Sequence, residues 1–253
     1  MIHYPKCDNS LIRLSQSQLN LLETCPPQFK KIYLDHLNFP VSLESQRSLN
    51  WGNQFHQLMQ QHFMGLSIDA VLAQYSNLSE VIKVLFKCIV EKHILNSQFW
   101  TEAEHYITFK KDNYLLTAIY DLLIVKNNQV QILDWKTYLK PNDKKQLESD
   151  WQTRLYLYLL AETSTYSPEN ISMTYWFIKD KYKPQYLSFQ YSQNQHQQTK
   201  SDLSKLLNYL NYNLYDINQD NNNFGHHKNC KDKCPYHDYL CLKKTSELTF
   251  MTE

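Results

Sequence analysis

Residues 129–137 read QVQILDWKT, a mostly apolar run that ends on an acid and a base two residues apart. In a strand, residues two apart share a face, so Val130, Ile132, Asp134 and Lys136 fall on one side, with Leu133 and Trp135 on the other. Both faces are apolar along most of the run, which predicts a central strand. Charges in such a place are costly unless they are paired or serve a site. A buried Asp–Lys ion pair that only supports the fold would leave the same trace. Asp-x-Lys alone is therefore weak evidence, and Asp143-Lys144-Lys145 repeats the pattern in a polar, solvated segment.

The run before it, YLLTAIYDLLIVKNN, is also apolar and is also interrupted by one acid, Asp121. EHYITFKKD precedes that. Polar joins at Lys111-Asp112-Asn113 and Asn127-Asn128 predict an antiparallel meander of three strands. With a hairpin centred on Asn127-Asn128, Asp121 and Asp134 lie equally far from the turn. Two carboxylates on neighbouring strands make a hard oxygen site suited to Mg²⁺ or Mn²⁺.

Helices surround this core. Residues 15–36 carry an apolar stripe (Leu19, Leu22, Phe29, Tyr33) behind the capping residues Ser15 and Ser17, with a break expected at Cys25-Pro26-Pro27. Residues 51–64 and 77–97 read as further helices. Residues 145–163 read as one strong helix. Two strands follow at 171–179 and 185–192, then a helix over 196–217, an Asn-rich loop and a tail rich in Cys and His. The order predicts an α/β fold whose mixed central sheet is flanked by helices. The expected organisation is an N-terminal helical part over 1–97, a core over 98–223 and a Cys-rich tail over 224–253 that packs as one unit with Cys25.

The 253 residues can bury a sizeable core, and 42% are hydrophobic. With 3 Gly, the chain holds neither a P-loop nor a dinucleotide fingerprint. A net charge of +1 excludes binding nucleic acid by bulk charge but leaves local patches open. No apolar run approaches a membrane span, and MIHYPKCDNS lacks the apolar centre of a signal peptide, so the expectation is a cytoplasmic protein without membrane contact. Six Cys in that compartment point to metal or buried thiols before a disulfide framework.

AIYDLLIV followed by LDWKT resembles the core of the PD-(D/E)XK nuclease superfamily, in particular its RecB-like branch, and implies a restriction-endonuclease-like core. In that branch an Asp on one strand and Asp-x-Lys on the next hold the metal and position a water. The usual Gly shortly before the first Asp is absent here; Ala118 is the nearest small residue. Gln152 and Tyr156, four apart on one helix, match the branch's Gln-x-x-x-Tyr. Gly52 and His56 match its Gly-x-x-x-His. The resemblance implies His56, Asp121, Asp134 and the Trp135 carbonyl as ligands of Mg²⁺ or Mn²⁺. It implies Lys136 as the residue that orients the water, and Gln152 and Tyr156 as residues that touch DNA or support the ligands. Glu104, expected just ahead of the first strand, is a candidate supporting acid, with Glu102 equal to it by sequence.

The segment SQSQLNLLETCPPQFKKIYL resembles the opening of the same nucleases, and CKDKCPYHDYLC resembles the tail of members that carry an iron–sulfur cluster, such as CRISPR-adaptation and AddB-type proteins. That likeness implies Cys25, Cys230, Cys234 and Cys241 as ligands of a structural [4Fe–4S] cluster. The late spacing, Cys-x₃-Cys-x₆-Cys, departs from the branch's usual Cys-x₂-Cys-x₅-Cys. It keeps zinc open, with His237, His226 or His227 as further ligands.

The expected function is a Mg²⁺- or Mn²⁺-dependent deoxyribonuclease, an exonuclease on single-stranded DNA, in repair, recombination or defence. The abundant aromatics favour the unpaired strand. A separate helicase or a repair or adaptation protein would be its partner. The competing expectation is a nuclease-fold DNA-binding subunit without catalysis.

Overall fold

A computed structural model describes residues 11–37, 42–91, 99–141, 143–180, 182–217 and 224–226, with Cys230 and Cys234. Cys7, His227, His237 and Cys241 lie outside the described residues. The meander is present. Strands β2 (Trp100–Lys111), β3 (Tyr114–Lys126) and β4 (Gln129–Lys136) pair antiparallel in sequence order. The tight turns place Asp112 and Asn127 at φ 54° and 53°, a left-handed region that short polar side chains tolerate. β4 runs parallel to β5 (Ile171–Phe177), which pairs antiparallel with β6 (Gln185–Gln190). The sheet is mixed and β4 is central.

One strand was not foreseen. β1 (Ile12–Leu14) lies parallel to the start of β3, with Ile12 opposite Tyr114. Three residues give no readable alternation. The second edge of β3 is thus shared: β1 takes residues 114–116 and β4 takes 122–126, while 117–121 pair with neither.

Helices cover both faces. α1 (Gln16–Thr24), α7 (Trp151–Thr163) and α8 (Gln193–Ile217) pack on one side, with Leu19, Leu22, Leu155, Leu159, Leu203 and Leu207 buried against Val130, Ile132 and Tyr175. α3 (Leu43–Phe63) and α5 (Ser76–Glu91) pack on the other, with Phe55, Leu58, Ile82 and Leu85 against Leu133, Trp135 and Trp176. The two apolar faces of QVQILDWKT therefore feed two separate cores. In α7, eight of thirteen residues are buried, as expected of a helix held between a sheet and two other helices.

Several element boundaries differ from the sequence reading. α3 begins at Leu43 rather than 51, because Ser42 caps it through the Ser45 amide. The helix expected over 145–163 is two, α6 (Lys144–Ser149) and α7. Asp150 takes an extended backbone and caps α7 by accepting from Gln152 N at 2.7 Å. The first segment breaks at Cys25 as expected, into α1, α2 (Pro26–Phe29) and a π-helical turn over Lys30–Leu34. A short α4 (Asp69–Gln74) was not foreseen.

Candidate active site

Alternation along β3 slips by one residue at Asp121. Tyr114, Leu116, Ala118 and Tyr120 enter the core beneath α7, whereas Leu122 and Ile124, of the same parity, enter the core beneath α3. The slip sits opposite Glu104, which the β2–β3 register places across from Asp121, between Ala103–Leu122 and His105–Tyr120. Glu104 has φ 52° and lies inside β2, not ahead of it. On the other side, the β3–β4 register continued one step from Leu122–Leu133 sets Asp121 beside Asp134. Three carboxylates on three adjacent strands thus form a row across the sheet where β3 lacks its second neighbour.

Each acid is held differently. Asp121 Oδ2 accepts from the Trp135 amide at 2.6 Å, and its Oδ1 lies 3.1 Å from His56 Nδ1. Asp134 is 3% exposed; Oδ1 lies 2.6 Å from Lys136 Nζ, and Oδ2 accepts from Gln152 Nε2 at 2.7 Å. Lys136 Nζ also donates to Gln152 Oε1 at 2.6 Å, closing a ring of three side chains. Its ammonium lies 5.0 Å from the centre of the Tyr175 ring. Glu102, the sequence alternative to Glu104, pairs with His105 at 2.7 Å on the exposed side. Ligand atoms of His56, Glu104 and Asp121 lie within 4.8 Å of one another.

The charges do not balance in the protein alone. Burial, with the charge of Asp121 adding to it, pushes the Asp134 carboxyl up to about 6 against the pull of Lys136. Burial and Asp121 together also raise Glu104. Burial opposes a charged His56 ring, yet the Asp121 hydrogen bond and the charges of Asp121, Asp134 and Glu104 outweigh it and raise the pKa. Burial disfavours a charged Lys136 as well, but Asp134 prevails and raises it. A cluster that strains to hold its negative charge accepts a cation readily. Carboxylate oxygens with one imidazole are a donor set that Mg²⁺ and Mn²⁺ fit.

Tyr156 stands behind the cluster rather than in front of it. It is 4% exposed, and the Gln152 side chain and the Ile119 backbone lie near enough to its hydroxyl to favour the ionised form against burial. Ile119 lies in the stretch of β3 that β1 and β4 leave unpaired, so Tyr156 meets that open edge. Tyr120 Oη donates back to the Tyr156 carbonyl at 2.9 Å. Burial keeps the Tyr156 phenol well above its usual pKa. Trp135 contributes its amide to Asp121, while its ring stacks at 6.3 Å on Phe63 in the opposite core.

Two supports, Asn20 and Asp150, lie outside the sequence reading. Asn20 of α1 donates to Asp150 Oδ1 at 3.0 Å and accepts from the Trp151 amide at 3.1 Å, fixing the start of the helix that carries Gln152. Asp150 itself could have been read as an N-cap two residues ahead of Gln152. Gly52 of α3 explains how His56 arrives: a Cβ there would lie 3.3 Å from Thr137 Oγ1, so the absence of a side chain lets α3 approach the end of β4.

A second cluster joins the two ends of the described chain. Cys25, Cys230 and Cys234 are buried together as free thiols. Cys25, His226 and Cys230 hold their ligand atoms within 4.8 Å, with His226 Nδ1 3.4 Å from Cys230 Sγ. Burial, helped by hydrogen bonding with Cys234 and Cys230, pushes the Cys25 thiol up to about 12. Three thiols and an imidazole fit a thiophilic metal or cluster.

No helix among the described residues is long and apolar enough to cross a membrane. Among curated proteins no sequence match is found. Two solved structures are similar. One, from Eubacterium rectale and named as a candidate exonuclease, is 10% identical, with a TM-score of 0.46, covering 77% of this chain and 80% of that one. The other, named SSO0001, is 14% identical, with a TM-score of 0.35, covering 81% of this chain and 78% of that one. The profile of the PD-(D/E)XK nuclease superfamily matches residues 13–239. Spanned by that profile over most of its length, the chain belongs to the PD-(D/E)XK nuclease superfamily.

Proposed function

We propose that the chain is a Mg²⁺- or Mn²⁺-dependent deoxyribonuclease of the RecB-like branch, hydrolysing DNA phosphodiester bonds as an exonuclease on single strands. The observation that carries this is the row Glu104–Asp121–Asp134 beside a lysine locked by Asp134 and Gln152. A divalent cation at such a site lowers the pKa of a bound water and offsets charge on the phosphate. His56, Asp121 and Asp134 would hold it, with Glu104 and the Trp135 carbonyl beside them. Lys136 orients the attacking water and balances charge that develops on the phosphate. Gln152 fixes Lys136 and Asp134 together, and Tyr156 lies one helical turn on, behind them. Repair, recombination or defence is the setting that fits, with unwinding left to a separate partner.

The thiol cluster is proposed as structural. Cys25, Cys230, Cys234 and Cys241 would hold a [4Fe–4S] cluster, with zinc the alternative that His226 favours. Either clasps α1 to the tail across some two hundred residues.

An assay on end-labelled single- and double-stranded DNA with Mg²⁺ and Mn²⁺ tests the reading. Wild type should cut, while Lys136→Ala and Asp134→Ala, checked for folding, should not. A folded, metal-loaded wild type that binds DNA without cutting it identifies a binding subunit instead.

A further inference from the structure

Beside the acid row, a cavity of 690 Å³ opens between α3 and the ends of β4 and β5. Its volume falls in the range, about 300–1,000 Å³, typical of small-ligand sites. His56 lies in its wall, so it continues directly from the row of acids. Arg47 and Lys179 also line it, and among the described residues no acidic side chain does. Among the described residues, neither cation has an ion pair. Another cavity, 500 Å³ between α6, α7, β6 and α8, differs in charge: its Arg154 is paired with Asp202 at 2.7 Å, and Glu148 shares the wall.

Two aromatic rings, Trp51 and Tyr138, line the first cavity beside Leu49 and Leu139. Tyr138, two residues beyond Lys136, is 47% exposed, with its ring braced edge-on against Phe177 at 5.8 Å. Trp51 is braced on Phe55 at 5.9 Å. Aromatic rings fixed from behind and open in front suit the faces of unpaired bases, and two free cations suit the phosphates between them. Within a duplex the bases stack on one another and offer such a ring no face.

We propose that this cavity is the channel that holds the single strand next to the scissile phosphate, with Tyr138 as stacking platform and Arg47 and Lys179 as phosphate contacts. It rests on the nuclease reading of the acid row. The contacts are to backbone and base faces, so the channel selects unpaired DNA without selecting sequence.

Fluorescence anisotropy with labelled oligo-dT and a matching duplex, on the intact protein with no Mg²⁺, Mn²⁺ or chelator added, tests it without cleavage. Wild type should bind the single strand more tightly than the duplex. Arg47→Ala with Lys179→Ala should lower the single-strand slope of log affinity against log salt by about 1.4, since each phosphate contact contributes about 0.7. Tyr138→Ala should weaken single-strand binding about tenfold or more, and Tyr138→Phe should retain it. Lys145→Ala, in the second cavity, should change neither. Unchanged affinity and slope in the channel variants, or no single-strand binding by wild type, overturns the proposal. Separate cleavage assays keep the two readings apart. A wild type that binds through these residues but never cuts supports the channel and removes the nuclease. A wild type that cuts while the variants keep its KM removes the channel and leaves the nuclease.

Discussion

Asp121 accepts the backbone amide of Trp135 at 2.6 Å, so a side chain completes the junction of β3 and β4 just past their last paired residues, Leu122 and Leu133. The carboxylate thus has two roles, one in the strand junction and one in the cluster with His56 and Glu104.

These roles should separate by substitution. Asp121→Asn keeps an oxygen for the Trp135 amide but removes the charge. Cleavage should fall at least about 100-fold, with the midpoint of urea unfolding little changed. Asp121→Ala removes both and should also cost about 1–3 kcal/mol in urea unfolding, the penalty of an unsatisfied buried amide. Equal stability of the two variants would refute the junction role.

Lys136 is the charge partner of an acid that is almost fully buried. Removing it as Lys136→Met leaves Asp134 uncompensated and should destabilise the metal-free protein by about 3–5 kcal/mol. Adding Asp134→Asn should recover most of that loss while leaving the enzyme inactive. Unfolding curves of the single and double variants, read as a cycle, give the answer; a double variant no more stable than the single would contradict the pairing.

Gly52→Ala sets two effects against each other. Ala in a helix interior gains about 1 kcal/mol over Gly, while the new Cβ meets Thr137 Oγ1 at 3.3 Å. The expected outcome is near-neutral stability with reduced metal-dependent cleavage, because α3 and His56 move together. Thr137→Ala in the same chain should restore cleavage; no rescue would place the effect elsewhere.

Asp202 ties α8 to α7 through Arg154 at 2.7 Å. Burial alone would raise its pKa, but hydrogen bonds from Gln198 and Lys205 and the charge of Arg154 outweigh it and hold the carboxyl below its usual range. A depressed folded pKa stabilises above the unfolded value, near ~3.9, and that gain is lost as pH falls through the lower folded value. Asp202→Asn should therefore cost about 1 kcal/mol at neutral pH and nothing at the acid end of a urea-unfolding series. A difference that does not change with pH would rule out the charge as its source.

Cys25→Ser or chelation should strip the proposed metal from the thiol cluster and lower the thermal midpoint by several degrees. Visible absorbance and metal analysis of anaerobically purified protein distinguish iron–sulfur from zinc. Full stability without any metal would make the thiols simple core residues.

The meander, its turns and the facing acids Asp121 and Asp134 were legible because they depend on alternation, and alternation is local. Glu104 was ambiguous with Glu102, since only the long β2–β3 register and the slip at Asp121 separate them. Asn20 was invisible: its partners Asp150 and Trp151 lie 130 residues away, and a polar residue on a surface helix carries no sign of such a contact. β1 was invisible for the same reason, as its partner is supplied by tertiary structure. Tyr156 was legible as a motif, but its burial beneath the site, against Tyr120 of β3, is a tertiary contact.

The divided edge of β3 also bears on the order of assembly. β2, β3 and β4 close through two-residue turns, so the acid row can form early from contacts near in sequence. β1 reaches β3 only after about a hundred intervening residues, and Asn20 reaches Asp150 across more. A growing chain therefore lines up its carboxylates before Gln152 is anchored over them. Arming the cluster is a late event, reserved for a molecule whose distant segments have all arrived.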